Sequence, residues 1–450
     1  MNSNATKILI AIVLGLALLL STYGIYRYFS STPTTETTPI GDTSAFPTSG
    51  NITTQGGSDG TNTQAGQATS NPGGSNANTT SGGLAPASGR QTDISTIKIV
   101  VEKPSVGGIF IEKTEQSNTS TSTVKKLYVR YMERESGHIY DLAYNENLPK
   151  KVSNTTITKV YESFFNNTAK SVVIRNINSV GGVQNIYAAI EDPTATTSPE
   201  VGAEATVGKL NQSLLPSGIL GVVVSPSKTK IFYLTGVGDG VIGTTEDFGT
   251  KQGVNKKQVF NSALSEWLIQ WPQEDTLFFN TRPSANVPGF LYSQSLTKTG
   301  LNKILGGLNG LTSNVSPDAK RLIYSESTSG KMKTYLYDLT TRVSSPLYVT
   351  TLPEKCVWGG VAQDFLYCAV PATIPGGDYP DVWYQGIVSF SDELWQVDTK
   401  TGNTELLIDK ATFDKAGKGI DAENLILSPK EDYLLMTNKK DSSLWQIRLK

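Results

Sequence analysis

Past residue 96 the chain alternates short apolar runs with clusters of turn-forming residues, and no stretch sustains the three-to-four-residue spacing of an amphipathic helix. The class this predicts is all-β. Three segments resemble one another: SPSKTKIFYLTG at 225–236, SPDAKRLIYSES at 316–327 and SPKEDYLLMTNK at 428–439. Each is a turn leading into an apolar strand, and each follows an apolar or small run, GVVV at 221–224, TSNV at 312–315 and NLIL at 424–427, which predicts a hairpin. A third strand carries large residues at alternate positions: Tyr337 and Leu339 in YLYDLTT, Trp395 and Val397 in LWQVDTKTG, Trp445 and Ile447 in LWQIRLK. Period two puts them on one face, ready to pack between neighbouring sheets. A fourth strand follows a turn, as in NTELLID at 403–409, and four antiparallel strands per unit make the blade of a β-propeller.

Spacing sets the number of blades. Ser225, Ser316 and Ser428 stand about 90 and about 110 residues apart, so each interval holds two units of about 45 residues. The excess of about 20 in the second interval falls on an aromatic, Pro/Gly-rich stretch, PATIPGGDYPDVWYQGIVSFS at 371–391. Counted along the chain, seven units begin near Val106, Thr158, Leu215, Glu266, Gly310, Lys355 and Ala422, with six or eight as the alternatives. The last unit stops after its third strand, while TIKIVVEKP at 96–104 precedes the first unit as a lone strand. An unpaired edge is a liability, so the lone strand is expected to close the ring by pairing residues 97–102 with 443–448.

Residues before 96 read differently. Residues 1–7 form a short tail, and 8–29, ILIAIVLGLALLLSTYGIYRYF, hold an uncharged apolar core followed by Tyr23, Tyr26, Arg27, Tyr28 and Phe29. About 20 residues cross a hydrocarbon layer of about 30 Å, and an aromatic and basic belt suits its interface. This predicts a transmembrane anchor with the tail inside and everything after Phe29 outside the cytoplasm, periplasmic or at the cell surface; a cleaved signal peptide is the competing reading. Residues 30–95 are mostly Ser, Thr, Gly, Asn, Ala, Gln and Pro, with almost no large apolar residue after Phe46, too polar to offset their ordering entropy, and are expected to form a disordered linker. As a flexible coil such a tether has a root-mean-square span of about 45 Å. The domain proper is 96–450.

The turn-and-strand pattern of the three SP segments, with the hydrophobic-Tyr/Trp-x-hydrophobic-Asp strand that follows, resembles the TolB-type and WD-repeat-like propellers, including those beside the catalytic domain of prolyl oligopeptidase-like enzymes. The layout of anchor, linker and head is similar to that of membrane-anchored bacterial propeller proteins. The resemblance implies a propeller and no activity: residues 96–450 show neither the α/β domain of TolB-like proteins nor a hydrolase domain, so no functional residue is carried over.

Charge and composition narrow the chemistry. Lys plus Arg number 39 and Asp plus Glu 40, for a formal net charge of -1, which lacks the electrostatic footprint of a nucleic-acid binder. The single histidine, His138, at the start of a predicted strand, leaves no multi-histidine metal site and, without a G-x-S-x-G elbow, no Ser-His-Asp hydrolase. Gly238 to Gly243 matches G-x-G-x-x-G but joins two strands and opens no helix, so it reads as a hairpin turn. Trp267 and Trp271 share a strand face and read as core. Cys356 and Cys368 are the only cysteines; if Val361 to Gln363 form a hairpin loop they face each other across adjacent strands, within disulfide reach, the other reading being two buried thiols.

The 371–391 insertion joins the second and third strands of its blade, on the face where propellers most often take ligands. Tyr379, Trp383, Tyr384 and Phe390, with Asp378 and Asp381 as polar partners and Arg282 on a neighbouring loop, are the candidate ligand contacts; the alternative is that the aromatics plug the central channel. Two carboxylates are too few for a calcium site, and no metal or cofactor is expected. The function this predicts is a non-enzymatic binding or scaffold module for a protein or a cell-envelope glycan. The alternatives are a glycan-active enzyme using Asp378 and Asp381 as paired carboxylates, and a regulatory partner of a separate peptidase.

Overall fold

The computed structural model describes residues 96–116, 123–192, 207–360 and 364–450. The expected tail, anchor and linker lie outside the described residues, and among those described no helix is long and apolar enough to cross a membrane.

Seven four-stranded antiparallel sheets follow one another along the chain. After β1 (Ile97–Val101), blade 1 holds β2 (Ser105–Gln116), β3 (Thr123–Glu133), β4 (Ile139–Ala143) and β5 (Lys150–Ser153). Blade 2 holds β6 (Val160–Phe165), β7 (Ser171–Ile177), β8 (Val183–Glu191) and β9 (Lys209–Leu214), and blade 3 β10 (Ile219–Val224), β11 (Lys230–Val237), β12 (Gly240–Asp247) and β13 (Lys257–Ser262). Blade 4 holds β14 (Trp267–Gln273), β15 (Thr276–Thr281), β16 (Pro288–Ser295) and β17 (Asn302–Asn309), and blade 5 β18 (Thr312–Val315), β19 (Arg321–Thr328), β20 (Lys331–Asp338) and β21 (Val343–Pro346). Blade 6 holds β22 (Cys356–Trp358), β23 (Phe365–Pro371), β24 (Asp392–Asp398) and β25 (Thr404–Ile408). Blade 7 is built from β26 (Ala422–Leu427), β27 (Tyr433–Asn438), β28 (Ser443–Arg448) and, as its outer strand, β1. The ring closes as the sequence requires, with Ile97 opposite Ile447, Ile99 opposite Trp445 and Val101 opposite Leu444. Cys356 and Cys368 stand opposite each other in register, Cα atoms 4.1 Å apart, and are disulfide-bonded.

The repeated SP segment is explained by its turn. In Ser225–Lys228, Ser316–Ala319 and Ser428–Glu431 the fourth residue donates its N–H to the first carbonyl and takes a left-handed conformation, with φ of 54, 48 and 55°. The serine hydroxyl accepts the N–H five residues on: Lys230 at 3.2 Å, Arg321 at 3.0 Å and Tyr433 at 3.0 Å. Blade 2 uses the same geometry with Asn166, whose side-chain oxygen accepts from Ser171 N–H at 3.0 Å while Ala169 takes the left-handed position.

Period two then divides each second strand between two interfaces. In β11, Ile231 and Tyr233 pack toward blade 2, and Phe232 and Leu234 toward blade 4. In β27, Leu434 and Met436 face blade 6 while Leu435 faces blade 1. These strands are buried on both faces, which is why they read as continuous apolar runs. Seven apolar clusters result, one per interface between adjacent blades; Trp267 and Trp271 lie in that of blades 3 and 4.

Two short helices depart from the all-β expectation: α1 (Asp381–Tyr384) in the insertion and α2 (Lys410–Lys415) between blades 6 and 7. Asp409 caps α2 by accepting from Thr412 N–H at 2.7 Å, and Phe413 is its one buried side chain. Helices this short bury a single position and leave no periodic trace in a sequence.

Candidate functional site

The face carrying the second-to-third-strand turns and the connections between blades, here the upper face, is divided into two unlike halves. Over one half lies the 372–391 insertion. Asp381 accepts from the N–H of Ala285 at 2.6 Å and Asp378 from Asn286 at 3.4 Å, which ties the insertion to the 282–287 loop of blade 4. Tyr379, Trp383 and Phe390 pack with Met332 of blade 5 and Leu352 of the following connection. Tyr384 donates to Glu354. At the other end Lys439 of blade 7 donates to the Trp383 carbonyl at 2.9 Å. The insertion is thus a cap reaching from blade 4 to blade 7.

A buried charge cluster pins the cap. Lys355, with no exposed surface, donates to Asp421 at 2.6 Å, to Asp392 at 2.8 Å and to the Ala422 carbonyl at 2.8 Å, and lies over the rings of Trp383 and Phe390. Asp421 in turn accepts from the Trp383 indole at 3.1 Å, the Ser389 hydroxyl at 3.1 Å and Phe390 N–H at 3.0 Å. Burial pushes Asp392 up to about 6, and one of its oxygens has no partner.

The candidate contacts read from the sequence therefore fall in the cap. Tyr379 and Trp383 are core side chains of it, Tyr384 is over a third exposed, and Asp378 and Asp381 hold it to blade 4. Arg282 lies at the edge, exposed, 3.9 Å from Glu266. His138 is a turn residue, 3.4 Å from the Thr156 hydroxyl, and Gly238 sits in the β11–β12 hairpin.

The other half of the upper face has only short turns, and there the channel opens. In the innermost strands of blades 7, 1, 2 and 3 the ladder slips near the upper end, between Glu423 and Ile426, Val106 and Gly108, Val160 and Glu162, and Ile219 and Gly221. Such bulges leave a residue unpaired and re-aim its neighbours. At Gly107, φ is 59° and any Cβ would overlap Ser163, whose hydroxyl donates to the Val106 carbonyl at 3.1 Å; only glycine fits.

Beneath these bulges is a cavity of about 490 Å³ lined by strands of blades 7, 1 and 2 and by the end of the first strand of blade 3 with its following turn, with Arg134, Tyr161, Glu162 and Glu423 toward the mouth and Phe165, Val224 and Lys228 toward the floor. Glu162 is neutralised by Arg175 at 2.6 Å, which also donates to the Ile219 carbonyl at 3.2 Å and lies over the Tyr161 ring. Glu423 has no hydrogen-bond partner among the described residues; burial raises its pKa against the pull of Lys439, Lys355 and Arg134. Arg134 spends one guanidinium N–H on the Ser442 hydroxyl at 3.1 Å and is otherwise exposed. The mouth thus offers an unpaired carboxylate, a guanidinium with donors to spare, an aromatic ring and hydroxyls. Sequence reasoning did not single out these residues; the signal was the charge inside two inner strands, VYESFF and AENLIL, where apolar residues are the rule.

No protein-family model matches the chain, and no curated protein matches it. Among solved structures it is similar to an oligogalacturonate lyase from Vibrio parahaemolyticus, at 9% identity and a TM-score of 0.45 over 77% of this chain and 98% of that one. It is similar to the β-propeller domain of the Trilobed protease from Pyrococcus furiosus, at 11% identity and a TM-score of 0.44 over 77% and 95% of the two chains. A third is TolB from Acinetobacter baumannii, at 10% identity and a TM-score of 0.38 over 67% and 82%. These are likenesses of fold. The class the coordinates define is a seven-bladed β-propeller with a half-capped channel.

Proposed function

We propose that this propeller is a binding module, held outside the cytoplasm by residues 8–29, that receives a segment of a protein or a cell-envelope glycan in the uncapped half of its channel. The observation that carries the reading is Glu423, a part-buried carboxylate without a hydrogen-bond partner among the described residues, set with Arg134 in a cavity opened by bulged strands. Sites for small polar ligands combine a concave surface with a few unsatisfied groups whose pKa values are displaced. The carboxylates of Asp378 and Asp381 are engaged in holding the cap, so the ligand contacts are assigned to the mouth instead.

The test is a screen of the full chain against arrayed envelope glycans and peptides, repeated with Glu423→Gln and Arg134→Ala. A ligand retained by the wild type and weakened at least about tenfold by either change, the loss expected for one charge-assisted hydrogen bond, supports the reading. A ligand whose binding ignores both changes but is lost on altering Tyr384 or Arg282 moves the site to the cap.

A further inference from the structure

Lys228 stands at the floor of the same cavity, in the left-handed position of the Ser225–Lys228 turn. Its counterparts in three other blades show what that position needs. Two are alanines, Ala169 and Ala319, and the third, Glu431, spends its carboxylate on the N–H of Gly360. Nothing in the turn calls for a long cation. Yet Lys228 lies among Phe165 and Val224, and no described side chain or carbonyl accepts a hydrogen bond from its amine. Lys228 is part-buried, and the Arg175 and Lys355 cations, which are buried, are each matched by a carboxylate. For Lys228 burial alone acts, holding the amine below the usual lysine range. An ammonium partly drawn out of water without a counter-charge incurs part of its desolvation cost, and such groups are found where a ligand supplies the missing charge.

We infer that the channel floor is an anion subsite, in which the Lys228 Nζ receives a carboxylate or phosphate group of a ligand that enters through the mouth. This rests on the mouth as the way in. The two ends then differ in kind, with both an acceptor, Glu423, and a donor, Arg134, at the mouth and a lone cation at the floor, so a ligand with one anionic end is read in one direction.

The experiment is acylation of the full chain by N-hydroxysuccinimidyl acetate, with the rate at each lysine followed by peptide mass spectrometry. Sodium acetate or inorganic phosphate is added at constant ionic strength, with chloride as the reference. Either anion is expected to slow acylation of Lys228 about threefold, the change at two-thirds occupancy, while the exposed Lys331 is unaffected. Protection by phosphate alone assigns the site to phosphoryl groups, and protection by both assigns it to carboxylates as well. Equal rates in all three salts, or equal slowing at Lys331, overturn the inference. Lys228→Asn, a residue that tolerates the left-handed conformation, provides the second measurement: the thermal stabilisation that the protecting anion gives the wild type should vanish. Glu423→Gln should leave protection of Lys228 intact, so failure of the mouth assignment and failure of the floor assignment are distinguishable.

Discussion

Lys355, Asp392 and Asp421 share one ammonium between two buried carboxylates, so one negative charge is in excess. Asp421, with three further donors and Lys355 closest, is held below the usual carboxylate range in spite of its burial, and Asp392 is pushed up to about 6. A carboxyl whose folded pKa is raised makes the native state bind the extra proton, so its contribution is complete below the unfolded value and is lost as pH rises through the folded one. For Asp392 that window runs from 3.8 to about 6. Relative to wild type, Asp392→Asn should therefore gain roughly 2–3 kcal/mol between pH 4 and pH 7, read from urea midpoints. Lys355→Met should instead cost about 3–5 kcal/mol at pH 7, because both carboxylates lose their cation. In the sequence these residues stand at strand ends and in the connections between blades, where a charge is ordinarily solvated, and nothing local sets them apart.

At the scale of the element, the turn between the first and second strands of a blade explains both the copies that were legible and the one that was not. The hydroxyl of Ser316 accepts from Arg321 N–H and donates to Asp318, so Ser316→Ala should cost about 1 kcal/mol, seen as a lower urea midpoint with unchanged slope. Asn166→Ala should cost at least as much, because its amide also donates to the Phe248 carbonyl at 3.1 Å. The blade 2 copy escaped the motif because an amide oxygen can replace a serine hydroxyl as acceptor, and the pattern followed letters rather than acceptors. The disulfide was legible because the hairpin register places Cys356 opposite Cys368. It closes a loop of sequence separation 12, and its reduction should lower stability by about 3 kcal/mol.

For the whole molecule the decisive joint is β1 against β28. Ile97 and Ile99 pack on the cluster that contains Trp445 and Ile447, and β1 covers the outer edge of blade 7. Deleting residues 97–101 should expose that edge and cluster, costing several kcal/mol and shifting the size-exclusion profile toward larger species than the wild type forms. The cap is the other feature of this scale. It draws on blades 4, 5 and 7 and on the connections either side of blade 6, so its anchors come from parts of the chain that no local pattern joins.

What the sequence determined by itself was the four-stranded blade and its period of about 45 residues, because these rest on hydrogen bonds and period-two alternation within a few tens of residues; from the missing fourth strand of the last unit and the lone strand at 96–104 it also indicated the closure that joins Ile97 to Ile447. Only the tertiary structure decided that the aromatic insertion is a cap with buried rings, that Glu423 and Arg134 share an open mouth, and that Lys228 stands at its floor without a partner among the described residues. Those properties depend on which loops of different blades meet once the ring is closed, and on how much water is excluded where they do. Neither quantity is carried by any one stretch of the chain.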